Sequence, residues 1–199
     1  MTHQLYEAMK KRRTVYALDK SSPIGDEEIR KIVEYSLVHT PSAFNSQTGR
    51  IVLLLDRQHD ELWDITEEAL RKVVGEDQFA STKEKIDAFR AAYGTLLFFE
   101  DFQVIKQLQA AYPAFSDNFP VWALQSSGML QNNIWSAFAV EGLGASIQHY
   151  NELIDEQVKE RWNIPSEWRM MTQMPFGTPV ASPGAKDVMD VSKRFFSYG

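Results

Sequence analysis

The 199-residue chain contains no cysteine. That excludes disulfide bridges, thiolate metal sites and cysteine nucleophiles. No stretch reaches the roughly 18 uninterrupted apolar residues that a membrane helix needs. The opening MTHQLYEAMKKRR has no apolar run of signal-peptide length, so the expected location is the cytoplasm. Basic residues are in the minority, 21 against 27 acidic, for a net charge of −6. A protein lacking a basic excess has no general attraction for nucleic acid or anionic membranes. No P-loop and no Gly-x-Ser-x-Gly elbow occurs. The four histidines show no helix-face metal spacing, and no metal site is expected. His3 and His59 read as solvent-facing, while His39 and His149 lie next to segments that could line a pocket.

What remains is a globular composition of 44% hydrophobic residues with twelve Phe, seven Tyr and five Trp, enough to build a sizeable core in one domain spanning residues 1–199. The pattern predicts a helix from about Thr2 to Lys11, with Leu5, Ala8 and Met9 buried. A second helix follows Pro23-Ile-Gly25, with Asp26, Glu27 and Glu28 at its N-terminus and Ile29, Ile32, Val33 and Leu37 at helical spacing; Pro41 stops it. Arg50–Asp56 reads as a strand covered on both faces, and Thr95–Phe99 as another. Leu62, Ile65, Ala69 and Val73 mark a helix between them, and Ser81-Thr-Lys-Glu84 reads as a capping box for the next. The segment from Asn118 to Glu141 has no strongly charged face, so it belongs in a core or an interface. Gly142-Leu-Gly144 caps it. A strand at Ala145–Tyr150, a helix capped by Asn151 and running to Trp162, and a core strand from Trp168 to Gly177 complete the order. The class is α+β, rich in helix, with a few short strands.

Two motifs can carry chemistry. Lys10-Lys-Arg-Arg-Thr14 sets four cations and a hydroxyl at a helix end. It reads either as a phosphate clamp or as cations complementing the helix dipole. Pro41-Ser-Ala-Phe-Asn-Ser-Gln47 packs carboxamides and hydroxyls around one ring before a strand. It can address a flat heterocycle or be an ordinary turn. Gly142-Leu-Gly-Ala-Ser-Ile147 lacks the third glycine of a dinucleotide fingerprint and follows a helix, so it is no Rossmann motif. A basic clamp, an amide loop and apolar packing together suit a flavin, which brings its own redox chemistry, so no catalytic side chain is required.

The chain resembles the nitroreductase family, in particular its short fatty-acid-repression-mutant-like subfamily. The resemblance rests on Arg12-Arg-Thr14, Ser42-Ala-Phe-Asn-Ser-Gln47, Asp117-Asn-Phe-Pro-Val-Trp122, Leu130-Gln-Asn-Asn133, Gly142-Leu-Gly-Ala145, Met174-Pro-Phe-Gly177 and Lys193-Arg194, in that order over nearly the whole chain. It implies a sandwich of a central mixed sheet flanked by helices, an intertwined homodimer, and FMN bound by both subunits. It further implies electron transfer from NADH or NADPH to nitroaromatic or quinone-like acceptors by a ping-pong mechanism. An alternative from another class is a flavin-binding regulatory or stress-response protein with incidental reductase activity; a flavin-free interaction protein is a third. By resemblance, Arg12 and Thr14 are phosphate and ribityl ligands flanked by Arg13, with Lys193 and Arg194 closing the phosphate from the tail. Ser42, Ala43, Asn45 and Gln47 approach the ring from the partner subunit. Ala145, Ser146, Ile147 and Gln148 supply the strand facing the ring, and Gln131 and Asn132 add contacts from the long helix. Two positions depart from the family pattern: Tyr16 stands where many members carry Lys, and Ser146-Ile-Gln148 replaces the usual Pro-Glu pair.

Overall fold

A computed structural model describes residues 4–199, the side chains of residues 76–78 excepted. The chain order is α1 (Gln4–Lys11), β1 (Leu18–Asp19), α2 (Asp26–His39), β2 (Gly49–Leu55), α3 (Asp56–Val73), α4 (Glu76–Arg90), β3 (Gly94–Asp101), α5 (Phe102–Ala111), α6 (Asn118–Val140), β4 (Gly144–Ala145), α7 (Asn151–Trp162) and β5 (Trp168–Pro179). All eight residues of β3 are buried. Side chains alternate across a strand, so a strand that is apolar on both faces must be sandwiched. Leu96 and Phe98 meet Ile29 and Val33 of α2 and Leu130, Ile134 and Phe138 of α6. Leu97 and Phe99 meet Leu62 and Trp63 of α3, Ile86 and Phe89 of α4, and Ile154 and Val158 of α7. The result is a helix–sheet–helix sandwich.

The sheet order is β1-β5-β3-β2, with β4 also pairing with β5. All its named ladders are antiparallel. The parallel pairing among the described residues is an isolated bridge between Thr14 and Ala145, outside these ladders. The expected strand at Arg50–Asp56 is β2, but it is an edge strand and only partly covered, with Leu54 its one buried residue. Asp56 already belongs to α3.

The end of α6 follows its glycines. Gly142 takes φ +88°, the left-handed conformation, and its N–H donates to the Ala139 carbonyl at 3.4 Å. Leu143 N–H donates to the Phe138 carbonyl at 2.9 Å, and both of these side chains join the core. This is a Schellman closure with its hydrophobic contact. Gly144 is required by close approach, because a Cβ there would lie 2.8 Å from Leu18 and 3.1 Å from Val15. That contact brings the chain after α1 alongside β4.

Several sequence expectations change. Leu5 and Met9 are exposed rather than buried, and α1 buries no residue within the chain. Thr2 and His3 lie outside the described residues. Leu37 and Val73 are exposed at helix ends. α4 starts at Glu76 behind Gly75, which places Ser81 inside the helix rather than at its cap. Of the run Ala145–Tyr150, only Ala145 belongs to a strand, β4, and Gln148 bridges to Gln173. Asn151 is the first helical residue of α7, not its cap; its amide donates to the Met171 carbonyl and its Oδ1 accepts from Gln173.

His59 is the largest departure. It is 1% exposed on α3, where Trp63, one turn further on, is buried beside it. Its Nε2 lies 3.1 Å from the Arg90 carbonyl, which can only accept, so Nε2 carries the proton. Nδ1 then accepts from the Thr95 hydroxyl at 2.9 Å, and that hydroxyl accepts from Trp63 Nε1 at 3.1 Å. Every group is satisfied with the imidazole neutral, and burial lowers its pKa from 6.5 to about 4. A histidine that takes up its proton more readily unfolded than folded withdraws stability as pH falls from about 6.5 through about 4. At about 1.4 kcal/mol per pK unit this amounts to roughly 3–4 kcal/mol. Denaturant unfolding across that window should show the slope in the wild type. In His59→Gln, whose amide does not titrate, that part of the slope should vanish; identical slopes in both proteins would contradict the assignment.

Candidate functional site

The basic segment after α1 does not act as one patch. Lys10 is exposed on the last turn of α1, and Lys11 Nζ reaches the Val140 carbonyl at 3.5 Å. The Arg12 guanidinium lies 4.4 Å from the centroid of the Trp135 ring on α6. Arg13 turns away, donating to the Gly184 carbonyl at 2.8 Å and so tethering the start of the tail. Thr14 forms the parallel bridge with Ala145, and Val15 N–H donates to the Ala145 carbonyl at 2.9 Å. The structure therefore brings Thr14 against Ala145, with the preceding Arg12 over Trp135. Among the described residues, Arg12 has no carboxylate partner. Trp135 Nε1 beneath it is a buried donor with no partner. Such unneutralised donors fit an anion, which offers only acceptors.

Ala145 and Ser146 are buried, and Ile147 and Gln148 half-buried. Ser146 N–H donates to the Pro175 carbonyl at 3.3 Å, and Gln148 and Gln173 exchange backbone hydrogen bonds at 2.7 and 3.0 Å. Gln148 Nε2 folds back onto Ser146 Oγ at 3.0 Å. Gln131 and His149 line a cleft of about 720 Å³ between α6, the start of α7 and β5. Gln131 donates to Ser127 Oγ at 3.0 Å, whereas Asn132 next to it is exposed. Gly128 lines the same cleft, and a Cβ there would meet nothing within 4 Å. A mid-helix glycine costs roughly 0.5–1 kcal/mol relative to alanine, and no neighbour within the chain calls for it. A Cβ at this position would project into open space on the α6 wall.

The amide loop is elsewhere. Ser42 and Gln47 line a separate cleft of about 220 Å³ with Thr48, Arg50, Glu100, Ser126 and Leu130. Ser42 and Ala43 are half-buried, and Asn45 and Gln47 exposed. Ser42 Oγ accepts from Gln47 N–H at 2.9 Å, and Arg50 donates to the Gln47 carbonyl at 2.7 Å and to Asp101 at 2.9 Å. Lys193 and Arg194 stand in an exposed 3-10 turn without a carboxylate partner among the described residues. Of the histidines next to possible pockets, His39 is exposed, with its ring 4.1 Å from that of Tyr35. Tyr16 is also exposed.

Glu100 was not singled out by the sequence reading. It follows Leu96 and Phe98 on the same face of β3, so it points at α6 and is 1% exposed. Its Oε2 and the Thr48 hydroxyl lack hydrogen-bond partners of good geometry, although Thr48 and Ser127 both face the carboxyl. Burial raises its pKa from 4.5 to about 7, against the opposing pull of Thr48 and Arg50. The signal in the sequence was the pair Glu100-Asp101 closing an apolar strand: on a strand covered on both faces, two successive acids point to opposite buried sides.

This fold and these clefts define a class. The nitroreductase family model matches residues 9–178, and the chain belongs to the nitroreductase family, an oxidoreductase of that kind. It is 36% identical over 188 residues to the putative nitroreductase HBN1 of Saccharomyces cerevisiae, covering 94% of this chain and 93% of that protein. It is 32% identical to the nitroreductase FRM2 of the same yeast, covering 93% of each. Its structure is similar to that of nitroreductase CinD from Lactococcus lactis, solved with chloramphenicol, with a TM-score of 0.89, 41% identity and coverage of 98% of this chain and 100% of that one. Among the described residues no helix is long and apolar enough to cross a membrane.

The Glu100 environment has a measurable consequence. A carboxyl whose pKa is higher folded than unfolded costs stability as pH rises from about 4.5 through about 7, and the cost is complete above that. At about 1.4 kcal/mol per pK unit it amounts to roughly 3–4 kcal/mol. Glu100→Gln should therefore unfold at higher denaturant than the wild type at pH 8 and at nearly equal denaturant at pH 4. Parallel pH profiles would show that the carboxyl is solvated.

Proposed function

We propose that the chain is an FMN-dependent oxidoreductase that works as a homodimer, taking electrons from NADH or NADPH and delivering them to nitroaromatic or quinone-like acceptors in ping-pong order. The observation that carries the proposal is the unneutralised Arg12, held over Trp135 beside the exposed Thr14 hydroxyl and the Ala145–Gln148 segment. A net-acidic chain that leaves this guanidinium without a carboxylate keeps it available for the dianionic phosphate of FMN. Arg12 and Thr14 hold that phosphate and the ribityl chain, with Arg13 anchoring the tail that carries Lys193 and Arg194 to the same anion. Ala145, Ser146, Ile147 and Gln148 face the ring, and Gln131 and Asn132 border it from α6. Bound FMN supplies the two-electron chemistry, so no side chain of the chain needs to act as acid, base or nucleophile.

The dimer follows from two features. Ser42, Ala43 and Gln47 line clefts that include neither Arg12 nor Thr14, so within one chain the amide loop and the clamp stand apart. α6 exposes Val121, Leu124, Met129 and Val140, and α1 exposes Leu5, Tyr6 and Met9. A second copy covers these apolar faces and brings its amide loop to the first copy's clamp. Nitroreductase CinD has been solved with chloramphenicol and with 4-nitrophenol, which supports small flat aromatic acceptors here. Chains named nitroreductases among the relatives favour an enzyme over a flavin-binding regulator.

Purified protein should be yellow and sediment as a dimer with one releasable FMN per chain. Anaerobic NADH or NADPH should bleach it, and 4-nitrophenol or a quinone should restore the colour with steady-state turnover. A colourless monomer that takes up no added FMN would overturn the reading, and a yellow protein without turnover would favour the regulatory alternative.

The clamp is tested by comparing Arg12→Ala with Lys10→Ala. Both remove one positive charge, so long-range attraction changes alike. A charge-assisted hydrogen bond contributes roughly 1.5–3 kcal/mol, so Arg12→Ala should weaken FMN binding about tenfold to a hundredfold, whereas the solvent-screened Lys10 should matter far less. Flavin-fluorescence titration of the two apo variants gives the comparison; equal losses would mean that the run acts only as diffuse charge.

A further inference from the structure

The loop from Ser42 to Gln47 holds three non-glycine residues in the left-handed region: Phe44 (φ 56°, ψ 21°), Asn45 (φ 50°) and Gln47 (φ 48°). Asparagine tolerates this conformation, but phenylalanine and glutamine adopt it only where their surroundings hold them. The surroundings of Phe44 are aromatic. Its ring centroid lies 4.9 Å from Tyr112, 5.3 Å from Phe119 and 6.0 Å from Phe115, and it stacks on Trp122 at 5.9 Å and 19°. These rings come from the end of α5, the turn at Pro113–Phe115 and the first turns of α6. Yet Phe44 is 50% exposed, so the global core does not depend on it. At the far end of the loop the Arg50 guanidinium grips the Gln47 carbonyl and is itself held by Asp101. Between the two anchors, the carboxamide of Asn45 points to solvent, and that of Gln47 makes only a 3.4 Å contact with the Asn45 carbonyl.

We infer that Phe44 is a positioning residue for the cofactor site. Its ring, seated among Tyr112, Phe115, Phe119 and Trp122, locks the loop in the strained form that presents Asn45 and Gln47. The inference rests on the FMN reading above and assigns the ring a role of its own. The surrounding polar groups do not use it as a platform; it is turned away from them into the aromatic box. Without the ring, the loop relaxes out of the left-handed region and has to be re-ordered each time FMN binds.

The test compares wild type, Phe44→Ala and Phe44→Tyr by two measurements. In FMN titration of the apo proteins, Phe44→Ala should bind roughly tenfold more weakly, equivalent to about 1.4 kcal/mol, with an unchanged melting temperature. Phe44→Tyr, which keeps a ring in the box, should restore wild-type affinity. In hydrogen exchange without FMN, the Asn45 and Gln47 amides, which donate to the Ser42 carbonyl and hydroxyl, should exchange about tenfold faster in Phe44→Ala alone. Wild-type exchange and affinity in Phe44→Ala would overturn the inference, as would a loss that Phe44→Tyr fails to repair. A wild type that takes up no FMN would instead sink the proposed function, and the exchange data would still decide whether the ring holds the loop.

Discussion

The structure depends on one strand that is covered twice. β3 is buried along its whole length, with Leu96 and Phe98 facing one way and Leu97 and Phe99 the other. Neither face can be left to water. Burying a large apolar side chain contributes roughly 1.5–3 kcal/mol, so a single uncovered face would forfeit several such terms. α2 and α6 close one side, and α3, α4 and α7 the other. Once β3 is enclosed, β2 and β5 are its ladder partners, β4 is drawn to β5, and Val15 N–H meets the Ala145 carbonyl. The junction at Arg12, Thr14 and Ala145 therefore follows from the arrangement of the core.

The two faces of the sheet treat polar groups differently. On the α3 side, His59, Thr95 and Trp63 form a closed chain of donors and acceptors that ends on the Arg90 carbonyl. On the α6 side, Glu100, Thr48, Trp135 and Thr172 each keep a buried polar atom without a partner. Arg90 and Asp155 also keep one unpartnered atom apiece, but both engage charged partners through their other atoms. A buried polar group left unpaired costs about 1–3 kcal/mol, and most of these atoms lie on the α6 side, which also carries the clefts lined by Gln131 and by Ser42. Strain and unmet polar groups are tolerated at functional sites and removed elsewhere.

Much of this was legible in the sequence because it depends on neighbours along the chain. The acidic start of α2 at Asp26, the Gly142-Leu-Gly144 closure of α6 and the apolar run of β3 are local signals, and the structure follows them. His59 was not legible. It sits among Asp56, Arg57, Gln58 and Asp60, a polar stretch, and its burial is decided by Thr95 and Arg90 more than thirty positions away. The start of α4 was misplaced because Ser81-Thr-Lys-Glu84 has the letters of a capping box, while the helix continues back to Glu76. Of the site, the clamp motif was legible as a run of charge, but not its division of labour. Arg12 is assigned to Trp135 and Arg13 to Gly184 only by contacts with distant segments.

The exposure of Leu5 and Met9 shows where a periodicity argument stops. The spacing of apolar residues says that a helix face will be covered, not by which chain. α1 lies against α6 yet buries no residue, and α6 itself has no charged face to offer solvent. Within one chain both helices are unfinished, and the cleft lined by Ser42 and Gln47 of the amide loop includes neither Arg12 nor Thr14. The proposed second copy answers both deficits with the same contact. Burying α1 and α6 supplies the apolar energy, and the amide loop, close to α6 through Phe44 and Trp122, travels with that interface. Under that arrangement cofactor affinity and subunit association are linked, since a ligand held by both chains stabilises the dimer it bridges.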